Sequence, residues 1–167
     1  MREILRIDTQ NYQEEWPVHK RIAAKAIFYI DDKLVMLQSN LGDVKFIGGG
    51  IEDGESQIDG LIREVKEETG YEAIKSSIKE IGIVIERRKD KYEDAIWELM
   101  TYMFSCEVNP LEREELKLTE NEIKHGMKCV FLTPEDAIHN NEEALKKNQY
   151  SEWLYRDLEL LILLFKK

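Results

Sequence analysis

GGIEDGESQIDGLIREVKEETGY, residues 49–71, decides how the rest of the chain is read. Ser56 with Asp59 three positions on forms a capping-box-like start, and Gly70 is a natural stop, so the segment predicts a helix over Ser56 to Thr69. At about 100° per residue, Ile58, Leu61, Ile62 and Val65 fall on one arc, and Glu64, Glu67 and Glu68 fall on the arc beside it. One face of the helix therefore seeks a core, and its neighbour carries three carboxylates. Gly48, Gly49 and Gly50 stand just before, where glycine breaks regular structure and lets the backbone approach a ligand closely.

Carboxylates spaced i, i+3 and i+4 repel one another, at a cost of tenths of a kcal/mol per pair in an isolated helix. A hard cation reverses that penalty. Mg²⁺ prefers oxygen ligands and typically binds through one or two carboxylates plus substrate phosphate oxygens. A Glu-rich helix face is by itself usually a solvated surface, but here the spacing is specific. Gly49, five residues, Glu55, seven residues, Arg63-Glu64-Val65, one residue, Glu67-Glu68, one residue and Gly70 fix eight positions, each near 5 to 10% in average usage. A chance match is on the order of one in a million or less.

This pattern resembles the Nudix box. Two positions depart from it: Tyr71 stands where a bulky aliphatic residue is usual, and Ile47 where a proline often precedes the glycines. Neither removes a carboxylate. The resemblance implies a Nudix-like α/β/α sandwich, an α/β (α+β) fold with a mixed β-sheet between helices, over about Val18 to Lys167. It implies a hydrolase of phosphoric anhydrides using Mg²⁺ (or Mn²⁺), held by Glu64, Glu67 and Glu68 with the main-chain carbonyl of Gly48. Glu67 is also the candidate base, Arg63 holds a carboxylate in place, Glu55 supports the loop or an outer metal, and Gly49 and Gly50 meet the substrate. Family members often recruit a further carboxylate from a loop, which by position is Glu122 ahead of Glu120.

Working outward, His19 to Ile30 and Leu34 to Gln38 read as a β-hairpin about Asp31-Asp32-Lys33. Downstream, Glu80 to Glu86 and Ile96 to Val108 read as strands joined by a charged turn, Arg87 to Asp94. Asn109 to Gly126 reads as a long charged surface loop with one short helical turn, followed by a strand over Met127 to Leu132. Thr133-Pro134 caps a helix, and a last helix runs from about Ser151 to Phe165 with Trp153, Leu154, Leu158, Leu161 and Ile162 as its apolar stripe. Arg21 and Lys25 lie on one face of the first long strand, within reach of substrate phosphates. Tyr29, Phe46, Tyr92, Trp97 and Tyr102 could stack on a base, although strand spacing favours core positions. The three histidines, His19, His125 and His139, form no recognisable dyad.

The length of 167 residues suits one domain, with 1–17 as a lead-in and 18–167 as the core. A net charge of −10 argues against a protein that grips extended nucleic acid, since such binding relies on surplus Lys and Arg. It is compatible with a site where bound cations supply positive charge locally. No apolar run approaches a membrane span, and the amino terminus has neither a secretory nor a transit signal, so the expected location is the cytoplasm. Cys106 and Cys129 lie in expected strands without CxxC spacing, which favours reduced core thiols. The expected function is metal-dependent hydrolysis of a diphosphate linkage in a nucleoside diphosphate derivative, a nucleoside triphosphate first. Hydrolysis of ADP-ribose, a nucleotide sugar or a dinucleoside polyphosphate is the next reading, and a non-catalytic nucleotide-sensing or protein-binding domain is the alternative of another class. The expected partner is a small nucleotide-like molecule, and the last helix's stripe leaves a homodimer open.

Overall fold

The computed structural model describes residues 1–166. Eight strands build one mixed sheet: β1 (Glu3–Asp8), β2 (Val18–Ile27), β3 (Tyr29–Ile30), β4 (Lys33–Gln38), β5 (Val44–Gly50), β6 (Lys79–Lys89), β7 (Ile96–Ser105) and β8 (Lys128–Leu132). Four α-helices accompany them: α1 (Gln57–Thr69), α2 (Glu120–Lys124), α3 (Pro134–Lys146) and α4 (Leu154–Phe165). The spatial order is β1-β6-β7-β2-β5-β4-β3, with β8 on β4. The β1–β6 and β2–β7 pairs are parallel, and the other pairs are antiparallel.

Alternation along the strands sends side chains to two cores. Ala24, Ala26 and Ile47 pack with Leu61 and Val65 of α1 on one face. Ile27, Met36, Val44, Phe46, Val84 and Met103 pack with Leu158 and Leu161 of α4 and Ala137 and Ile138 of α3 on the other. The sheet thus lies between helices, as the pattern implies. Helix α1 begins at Ser56, whose hydroxyl accepts from the Asp59 amide, and ends at Gly70, left-handed at φ 77°. A side chain at Gly70 would also strike the Glu114 carbonyl oxygen, because the acidic loop crosses there. The Glu114 amide donates to the Gly70 carbonyl at 2.8 Å, and the Lys117 amide to that of Glu67 at 2.7 Å. These bonds strap the loop to the end of α1.

Several expectations are corrected. The lead-in contains a strand, since Glu3–Asp8 pairs in parallel with β6; its charged, half-exposed residues suit a sheet edge and show no strong local alternation. The hairpin is short. Asp31 and Asp32, at φ 48° and 59°, turn β3 into β4, but the long strand β2 pairs with β5 and β7 instead of β4. Strand β6 runs on to Lys89, three residues into the segment read as a turn. Of the aromatics, Phe46 is a core residue, but Tyr29 is half exposed and Tyr92 is 86% exposed. The two odd box residues are accommodated: Ile47 is fully buried, and Tyr71 is buried under the Arg113 guanidinium, 5.0 Å from its ring centroid. Both cysteines are free, Cys106 buried and Cys129 partly so.

Candidate active site

The three glycines extend β5 past the end of its pairing with β4, which stops at Phe46. The two faces of the sheet therefore communicate around Gly48 to Gly50. Gly48 pairs with Lys25 of β2 at φ 128°, and a Cβ there would lie 2.1 Å from the Ala24 carbonyl oxygen. At Gly49 a Cβ would lie 2.7 Å from Glu64 Oε1 on α1, and at Gly50 it would lie 2.8 Å from Arg21 Nη2 on β2. The missing side chains let a carboxylate approach from one face and a guanidinium from the other.

Arg63 organises the acidic side. Its Nε donates to Glu55 Oε1 at 2.8 Å, Nη1 to Glu64 Oε1 at 2.8 Å and Glu67 Oε2 at 3.2 Å, and Nη2 to the Gly50 carbonyl at 3.0 Å. Its hydrogen bond to Glu55 holds that carboxyl below the usual range. Glu68 is 1% exposed; it accepts from the Gly48 amide at 2.6 Å and pairs with Lys45 Nζ at 3.3 Å. Burial pushes the Glu68 carboxyl up to about 7, against the pull of Lys45, and raises Glu64 as well. Glu67 stands at the outer margin, its side chain 35% exposed.

A cavity of about 400 Å³ opens over this cluster, bordered by Gly48 to Gly50, Glu64, Lys45 and, from the acidic loop, Glu122 and His125. Glu122 is held by a capping box, its carboxylate accepting from the Thr119 amide at 2.8 Å. Its charge adds to the upward push on Glu64 and Glu68. Glu120 is exposed, and Glu114 pairs at the surface with Lys66. Among the described residues no three acidic, His or Cys side chains form a ready-made metal cage. Instead Arg63 and Lys45 balance the carboxylates. The donor set itself suits a hard divalent cation: buried carboxylate oxygens that repel one another are relieved by one, and Mg²⁺ takes its remaining ligands from water and phosphate.

A second cavity, about 200 Å³, continues from the same glycines across the other face of the sheet. Arg21, Ala23 and Lys25 of β2, Trp97 and Leu99 of β7, and Glu86 and Arg88 of β6 floor it, and Glu152, Trp153 and Arg156 at the start of α4 cover it. Trp153 borders both cavities; Lys45 Nζ lies 5.4 Å from its ring centroid and the His125 ring meets it edge-on at 5.9 Å. Sequence reading put Trp153 in the apolar stripe, gave Lys45 and Glu86 no role, and read Arg88 and His125 only as parts of a charged turn and a charged loop. Glu86 and Arg88 reach the cavity through strand register, opposite Leu99 and Trp97 of β7, with Leu99 in turn opposite Arg21 of β2. Arg21 and Lys25 do border the cleft; Lys25 is buried on Asp157 at 3.1 Å, whereas no ion pair holds Arg21 among the described residues.

Solved structures share this fold. A MutT protein from Bacillus halodurans superposes with TM-score 0.56 at 22% identity, covering 82% of this chain and 84% of that one. A MutT structure described for Aliivibrio salmonicida and Vibrio cholerae does so with TM-score 0.52 at 14% identity, covering 88% of this chain and all of that one. At such identities the likeness speaks to the fold. No curated protein matches the chain in sequence. The NUDIX domain matches residues 19–154; spanning the glycines, α1, the acidic loop and the start of α4, that match makes the chain a member of the Nudix family, hydrolases of phosphoric anhydrides.

Proposed function

We propose that this chain hydrolyses a diphosphate linkage in a nucleoside diphosphate derivative, a nucleoside triphosphate first, and that it needs Mg²⁺ or Mn²⁺ to do so. The observation that carries the reading is the continuity of two cavities through Gly48 to Gly50, with Arg21, Lys45 and Trp153 bordering both. One is bordered by the carboxylates Glu64 and Glu122, with Lys45 and Arg21 beside them, and suits a cation with a phosphate chain. The other has arginines and indoles and suits the rest of a nucleotide.

Glu64 and Glu68 are the residues that would hold the cation, with Glu122 and Glu67 contributing from the margins. When bound, the cation lowers the pKa of a bound water and neutralises phosphate oxygens. Arg63 keeps Glu64 and Glu67 fixed on α1 and ties them to the Gly50 carbonyl, so the carboxylates keep their place through turnover. Arg21, beside Gly50 and without a carboxylate partner among the described residues, is the group available to bind phosphate oxygens. Lys45 neutralises Glu68 until cation and substrate arrive. Trp153 and His125 border the acidic cavity and limit the entry of bulk water.

The test incubates the full chain with nucleoside triphosphates, nucleotide sugars, ADP-ribose and dinucleoside polyphosphates, with Mg²⁺ and with EDTA, and identifies products. Mg²⁺-dependent release of pyrophosphate from a triphosphate is expected. Turnover of ADP-ribose alone would move the substrate to the next reading, and no turnover of any compound would favour a sensing domain. Glu68→Gln should lower the rate about 100-fold or more while the fold persists, and an unchanged rate would take Glu68 out of the site.

A further inference from the structure

Glu86 occupies an unusual position on the floor of the second cavity. Its side chain is 14% exposed, and its ion-pair partners are Arg88 Nε at 3.6 Å and Arg156 Nη1 at 3.8 Å. Both are charge contacts beyond hydrogen-bond length. A mostly buried carboxylate with acceptor sites unspent, facing a cavity, calls for donors from a ligand. Beside it Arg88 and Trp97, register partners across β6 and β7, stack with the guanidinium 4.1 Å from the ring centroid. That stack forms a flat wall, and Trp153 supplies an aromatic edge from α4. Planar walls of indole and guanidinium recognise planar bases.

We propose that this cavity is the nucleobase subsite, with Arg88 and Trp97 as the stacking platform and Glu86 as the reader of the base edge, selecting a base with two adjacent N–H donors. The inference deepens the functional reading and rests on its claim that the substrate is a nucleotide. A carboxylate pairs bidentately with adjacent donors, as on the N1–H and N2–H edge of guanine. Hypoxanthine offers one of those donors. Adenine sets its N1 lone pair against the carboxylate and uracil offers a single N–H between two carbonyls, so both leave Glu86 poorly satisfied. A good bidentate contact discriminates by about tenfold or more, and sites built to bond a polar edge reject analogues that lack it.

The experiment measures kcat/KM of wild type and Glu86→Gln with the Mg²⁺ salts of guanosine, inosine, adenosine and uridine triphosphates. In wild type, guanosine triphosphate should exceed inosine triphosphate about tenfold, chiefly through KM, and the other two by more. Glu86→Gln should bring the guanosine-to-inosine ratio within about threefold of one. Quenching of tryptophan fluorescence by GDP and IDP in the wild-type protein reads the same preference without a variant. Turnover of all four triphosphates at similar efficiency, equal quenching, or a ratio unchanged by Glu86→Gln would overturn the base assignment and leave the hydrolase reading standing. No turnover of any triphosphate together with no quenching would overturn the base assignment and remove the nucleoside triphosphate reading as well.

Discussion

Glu64 Oε1 lies 2.7 Å from where a Cβ on Gly49 would stand, so the carboxylate of α1 occupies space that only glycine leaves on β5. The neighbouring residue makes the useful contrast. At Gly48 the obstacle is the Ala24 carbonyl, 2.1 Å away, and the backbone sits at φ 128°. A side-chain oxygen can swing aside; a paired strand cannot. Gly49→Ala should therefore fold with a Tm close to wild type and lose about tenfold in cation affinity as Glu64 is displaced. Gly48→Ala should lose about 2 kcal/mol or more of stability by urea unfolding. Equal stabilities for the two variants would show that the strand end is more pliable than this geometry allows.

Arg63→Ala removes bonds to Glu55, Glu64, Glu67 and the Gly50 carbonyl at once. Charge-assisted bonds of this kind contribute about 2 kcal/mol in net terms, so a Tm drop of roughly 4–8 °C is expected without metal. The carboxylates left behind repel one another. Mg²⁺ should raise the Tm of the variant by more than it raises that of wild type, a difference scanning calorimetry with and without EDTA resolves. Equal increments in the two proteins would mean that Arg63 and the cation do not balance the same carboxylates.

Burial pushes the Cys106 thiol up to about 12 and the Cys129 thiol up to about 11. At pH 8 the thiolate fractions are then about one part in 10⁴ and one part in 10³. Neither cysteine should react with a disulfide reagent on the timescale of free thiols in the native protein, and both should react in urea. Rapid native labelling of Cys129, the less buried of the two, would show that β8 opens from β4.

What the sequence made legible was local. Helix α1 declares itself through Ser56, Gly70 and apolar residues at helical spacing, and the carboxylates Glu64, Glu67 and Glu68 ride on that helix, so their common face follows from its period. The second cavity is assembled differently. Arg21, Trp97 and Glu86 belong to three strands and meet because β6, β7 and β2 pair at a register set by long-range packing. No local spacing records such a meeting. Trp153 illustrates the same limit from the helix side, since its apolar spacing fits α4 equally well whether it faces the core or a cleft. Strand β1 was hidden because its pairing with β6 joins residues some eighty positions apart.

Lys25 carries the remaining prediction. Its ammonium is 4% exposed, 3.1 Å from Asp157 Oδ1 and 3.3 Å from the Phe46 carbonyl, but Asp157 is shared with Arg156, whose Nη2 lies 2.7 Å from the other oxygen. Burial therefore dominates and, with the Arg156 charge adding to it and Asp157 opposing, brings Lys25 down to about 7. In the unfolded chain lysine titrates near about 10.4. Below about 7 both states hold the proton, so this group contributes no slope. Between about 7 and 10.4 the unfolded chain binds a proton that the folded protein has released, so stability rises with pH across that window and levels off above it. Lys25→Met removes the titration while Asp157 keeps Arg156 and the Phe46 amide, the latter at 2.8 Å. Urea unfolding at pH 7, 8 and 9 should then show wild type gaining stability with pH relative to the variant, other groups cancelling in the comparison. Parallel pH profiles for the two proteins would mean that Lys25 stays protonated across the range and that Asp157, shared though it is, outweighs burial.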